Sequence, residues 1–115
     1  MRAGEIAFVG ALVFECRWFE EALQEHIDFY DGLLPHLFVA DVERWAEGEL
    51  QSGGSESVRL SAVLKRLEAG MGAGPDVAEL VSVSFLENLP RPGDAGAELR
   101  TLVGPLCAAQ LAVTG

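Results

Sequence analysis

Five stretches of the chain set their apolar residues three to four positions apart, and glycine or proline stands between one stretch and the next. That period gathers the apolar side chains of each stretch on one side of an α-helix, so the pattern predicts an all-α fold. The first stretch runs Trp18, Phe19, Ala22, Leu23, His26, Ile27 and Tyr30, with Gly32 placed to stop it. In the second, Pro35 suits a first helical turn because it has no N–H to leave unpaired there. Leu34, Leu37, Phe38, Val42 and Trp45 then share a face, and the helix is expected to end near Gly48. Leu60, Val63, Leu64, Leu67 and Met71 give a third helix, closed by Gly70, Gly72 and Gly74. A fourth opens at Pro75 and Asp76, where Asp76 and Glu79 have the spacing of a capping box. Its string Val81 to Phe85 alternates with period two, as a strand would. Helix is preferred because Val77, Leu80, Val81 and Ser84 also share a helical face and no partner strand is visible. The fifth carries Leu99, Leu102, Val103, Leu106 and Cys107, and Pro105 should break it after Val103.

Ahead of these lies an apolar run, Ile6 to Phe14, bounded by Glu5 and Glu15. It is too short to span a bilayer. Glu5 also spoils the basic start of a signal peptide, and no small-x-small cleavage site follows, so the run reads as a buried first helix. The string Gln51 to Ser57 is the clearest loop and is expected to be mobile. With 115 residues, half of them hydrophobic, the chain predicts one domain over residues 1–115: an irregular bundle of five or six short helices.

Charge is unevenly placed. Between Glu15 and Glu49 ten acids face only Arg17 and Arg44, a net of −8 within a chain total of −10. Such a field argues against nucleic acid and anionic membrane as partners and favours a basic protein. On the helical reading Glu21, Glu25 and Asp28 line one exposed stripe and Glu43 with Glu47 another. Like charges a turn apart cost a helix a few tenths of a kcal/mol, so reversing Glu25 or Glu43 is expected to leave folding intact. Phe29 falls off the apolar stripe beside this acidic face and is a candidate interface anchor, whereas Trp18, Phe19, Tyr30, Phe38, Trp45 and Phe85 read as core.

Signals for chemistry are sparse. Cys16 and Cys107 stand 91 residues apart without a CxxC pattern and read as buried, reduced thiols, in keeping with a cytoplasmic location. His26 and His36, with neighbouring carboxylates, form the one alternative as a metal-dependent enzyme or small-molecule binder. Their spacing matches no helical ligand pattern, however, so no metal, cofactor or catalytic residue is assigned. His26 is expected in the core stripe and His36 at the surface or cap of a first turn. Ser82 and Ser84 lack a nucleophile elbow, and the Gly70 to Gly74 string follows a helix and lacks a phosphate-loop lysine.

The strings EHIDFYDGLLPHLFVADVERW (Glu25 to Trp45) and VSVSFLENLP (Val81 to Pro90) resemble a functionally uncharacterised family of small bacterial domains. The likeness extends over most of the chain, with these two blocks matching best. It implies an association with toxin-neutralising immunity proteins and carries over no site residues. The resulting expectation is an acidic protein-binding module, an immunity protein or antitoxin, that uses Glu21, Glu25, Asp28, Phe29, Glu43 and Glu47 to occlude a basic partner. A helical domain whose acids only keep it in solution is the plainer alternative.

Overall fold

The computed structural model describes residues 2–114 and, among them, seven α-helices and two 3₁₀ turns with no strand. The helices are α1 (Ala3–Glu15), α2 (Glu20–Tyr30), α3 (Pro35–Gly53), α4 (Val58–Met71), α5 (Pro75–Ser84), α6 (Leu99–Leu102) and α7 (Pro105–Thr114). The all-α reading therefore holds, with slightly more helices than the five or six expected. Arg17–Phe19 and Leu86–Asn88 form the 3₁₀ turns that lead into α2 and out of α5.

The string that could have been a strand lies in α5, the most centrally packed helix, with α1, α3 and α4 against it. Its Val77, Leu80 and Val81 are buried, joined from α1 by Phe8, Val9 and Leu12, from α3 by Phe38, Val39 and Val42, and from α4 by Leu60, Val63 and Leu67. Gly70 lies inside α4 and lets α1 cross it closely: a Cβ there would sit 2.7 Å from Phe8 Cε1.

Several boundaries differ from the expectation. The left-handed residue that ends α2 is Asp31 at φ 56°, one before Gly32, and the Gly32 N–H closes the end on the Ile27 carbonyl at 3.0 Å. Helix α3 does not stop at Gly48 but takes in half of the expected loop, leaving Gly54 to Ser57 as the connection. Two hydrogen bonds steady that junction: Ser57 Oγ donates to Glu49 Oε2 at 2.6 Å and accepts the Leu60 N–H at 3.1 Å, which caps α4. The capping box at Asp76 and Glu79 does not form. Gly74 is the cap residue of α5 without a side-chain bond, and Asp76 instead binds Arg2 Nη1 at 2.7 Å. Pro105 does break the last helix, with Val103 in extended conformation between α6 and α7.

A carboxylate from another helix completes α7. Glu68 of α4 accepts the backbone N–H of Leu106 at 2.7 Å and of Cys107 at 3.0 Å, supplying the acceptor that the α7 N-terminus needs. No described helix is long and apolar enough to cross a membrane.

Candidate functional site

Helix α2 sits shallowly on the bundle, because only His26 among its residues is buried. Aromatic contacts attach it to the bundle. Phe19, just before it, meets Trp45 edge-on at 5.0 Å and Phe38 at 6.4 Å, and Trp18 stacks on Trp45 at 6.0 Å. His26 packs against Phe38 at 5.6 Å, and its Nε2 accepts the N–H of Leu34 at 3.0 Å, which ties α2 to the turn before α3. His26 therefore belongs to the core stripe, as its spacing predicted.

The remainder of α2 faces solvent. Glu21, Glu25 and Asp28 are exposed as expected. Arg17 pairs with Glu20 instead of Glu21, and among the described residues neither Glu21 nor Glu25 has an ion-pair partner. Phe29 is 81% exposed, so it does not pack on a neighbouring helix; its ring meets only that of Tyr30, edge-on at 4.8 Å. Tyr30, read as core, is also exposed, as are Leu34 and Leu37 in the next turn and helix. The end of α2 and the start of α3 thus present apolar groups beside an acidic helix face.

Glu43 corrects the second stripe. It is not exposed but 2% accessible, set among Val39, Val42 and Ala46 on the buried side of α3. Burial, together with a hydrogen bond to Glu47 and that neighbour's charge, pushes its carboxyl from the ordinary 4.5 up to about 8. Glu43 therefore holds its proton at neutral pH and shares it with Glu47, which is half-buried; the Glu43 Oε2 has no partner among the described residues. Arg44 pairs with Asp41, and its charge offsets only a small part of the rise. The acids of α3 do not form a second partner-facing stripe.

His36 takes a role that its spacing gave no sign of. Its Nδ1 lies 2.6 Å from Ser84 Oγ and its Nε2 lies 3.3 Å from Glu5 Oε2, so one imidazole joins α1, α3 and α5. Acid, imidazole and hydroxyl in that order can activate a nucleophile. Ser84, however, is only 4% exposed and does not line the neighbouring cleft, and the chain of contacts ties three helices together. Glu5 was missed as a buried acid. Its signal was present, because Glu5 shares the i, i+3, i+4, i+7 spacing of Phe8, Val9 and Leu12. Ser84 and His36, 48 residues apart, left no such local mark.

Among the described residues no three of His, Cys, Asp and Glu gather in a ligand arrangement, and His26 and His36 serve the separate contacts above. Both cysteines are buried and free. Burial raises the Cys16 thiol, and burial plus the Glu68 carboxylate pushes that of Cys107 to about 12, so neither offers a thiolate. The chain matches no family model, no curated protein and no solved structure.

Proposed function

We propose that the chain is a protein-binding module whose α2 face docks a basic protein. The observation that carries this reading is Phe29, a nearly free aromatic ring held against Tyr30 at the end of a helix whose outer face is acidic. An exposed aromatic braced by a second ring and rimmed by charge has the make-up of an interface hot spot. The exposed carboxylates of Glu21, Glu25 and Asp28, the last accepting only the neutral Gln24 amide, would draw in a positively charged partner and set its approach. A basic enzyme such as a nuclease toxin fits, and an immunity protein or antitoxin is the role that follows, in the cytoplasm, where the two buried thiols stay reduced. Glu43 has no place in this surface, and Glu47 is committed to Glu43.

The test begins with the native host: a partner captured on the wild-type chain is purified and its binding followed by stopped flow. Reversal of Glu21, Glu25 and Asp28 together should slow association by about tenfold or more at low salt, and the wild-type rate should fall as salt rises. Phe29→Ala should leave association nearly unchanged and speed dissociation by about tenfold to thirtyfold, the worth of one aromatic anchor. Equal rates for all three proteins would reduce the acidic face to a solubilising surface.

A further inference from the structure

A cleft of about 510 Å³ opens between the start of α1, the turn before α3 and α5. Glu5 and Glu79 supply acid to it, and Leu34 and Leu37 give it exposed apolar walls. Glu5 is 7% exposed; its Oε1 accepts the Arg2 N–H at 3.2 Å and its Oε2 lies 3.3 Å from His36 Nε2. Each carboxylate oxygen keeps a free lone pair after those contacts. The Arg2 guanidinium, also at the cleft, is occupied by Asp76 and makes no ion pair with Glu5. The buried His26 ring links the cleft to the end of α2, packing on Tyr30 at 4.8 Å and accepting the N–H of Leu34.

We infer that this cleft receives an arginine or lysine side chain of the basic partner, an inference that rests on the docking reading above. The aliphatic stem would lie along Leu34 and Leu37 while the cation reaches Glu5 and Glu79, the division that long basic side chains make between apolar and charged surroundings. An anionic ligand is disfavoured, since two carboxylates line the cleft against one guanidinium, itself paired with Asp76 outside the lining, in a chain of net charge −10. The basic residue would dock beside the Phe29 anchor, so charge attraction and apolar burial act on adjoining parts of one surface.

The probe is acetyl-arginine methylamide, titrated into ¹⁵N-labelled protein, with acetyl-norleucine methylamide as the uncharged control. Shift changes should centre on the amides of Glu5, Leu34, His36 and Glu79. The control should bind about three- to tenfold more weakly, and Glu79→Gln, at an exposed position where folding is not at risk, should weaken the arginine probe by a similar factor. Shifts centred on α2, equal binding of the two probes, no binding by either, or no effect of Glu79→Gln would each overturn the cleft assignment. The two readings fail separately: slowed association of the α2 reversal variant with a silent cleft removes only the cleft, whereas an arginine-selective cleft with unchanged partner kinetics in that variant removes only the α2 face.

Discussion

Glu21 and Glu25 on α2 and Glu43 and Glu47 on α3 are both glutamate pairs one turn apart, and they differ in what the rest of the chain places against them. On α2 the pair stands in water, where solvent screens the repulsion between the two side chains. On α3 the first member is enclosed by α1, α4, α5 and α6, which pack on that helix, and only Glu47 and Arg44 of its own helix act on it electrically. Equal spacing has produced an exposed repulsive pair in one place and a buried proton-sharing pair in the other. Helical periodicity says which residues share a face, but the field at that face depends on neighbours that are remote in sequence.

Charge reversal at Glu25 and at Glu43 should have opposite consequences, the greater at Glu43. Glu43→Lys would bury an ammonium with one carboxylate nearby and should cost about 4–5 kcal/mol, lowering the melting temperature by about 15 °C or more. This corrects the expectation that reversal at Glu43 is harmless. If thermal melts show Glu43→Lys tolerated as well as Glu25→Lys, the two environments are not different in the way described.

A smaller effect follows from protonation. The folded pKa of Glu43, about 8, lies above its ordinary 4.5, so between those values the folded chain holds a proton that the unfolded chain has released. The stabilisation is complete below about pH 4.5 and is lost as pH rises to about 8, by an amount on the order of 3–5 kcal/mol. Urea melts of wild type should therefore show falling stability across that window, and Glu43→Gln, neutral at every pH, should flatten the fall. Glu68 works in the opposite sense. Against a burial penalty that raises it, the N–H groups of Cys107 and Leu106 hold its carboxyl below the usual value, so its contribution is present at neutral pH and lost only in acid. A wild-type profile that stays flat from pH 5 to 8, or a Glu43→Gln profile that keeps the wild-type slope, would mean that Glu43 is ionised in the folded chain.

What could be read in advance separates along the same line. The helices of the bundle, the helical state of Val81 to Phe85 and the break at Pro105 follow from period and from proline's missing N–H, which are local. The buried face of α3 is rotated by about one residue position from the one its large apolar residues predict. Leu34 and Leu37 were counted inward and are exposed, while Val39, Glu43 and Ala46 are buried beside Phe38 and Val42. The small apolar residues held the clue, since Val39, Glu43 and Ala46 follow the i, i+4, i+7 spacing of one face. On α2 the apolar stripe was real but wider than the surface available to cover it, so Tyr30 remained outside with Phe29. Of the candidate surface, Glu21, Glu25, Asp28 and Phe29 stand where the spacing put them. The cleft was illegible, because Glu5, Leu34 and Glu79 meet only after three helices have packed.

The smallest effect sharpens the comparison from the exposed side. Glu25 lies four residues after Glu21 and three before Asp28, so Glu25→Lys would replace two repulsions with two attractions on an exposed face where Gln24 already donates to Asp28 at 3.0 Å. A glutamate four positions ahead of a lysine is the favourable order along a helix. Each exchange is worth only tenths of a kcal/mol in water, which sets the expected gain at about 0.5 kcal/mol, or about 2–3 °C in melting temperature. High salt should remove most of that gain by screening both states, whereas it should do little for Glu43→Lys, whose cost comes from desolvation. The salt response is therefore the sharper reading of the two. If Glu25→Lys were to destabilise the chain, and did so equally in high salt, its carboxylate would have a packing role on α2 and the outer face would not be free to serve a partner.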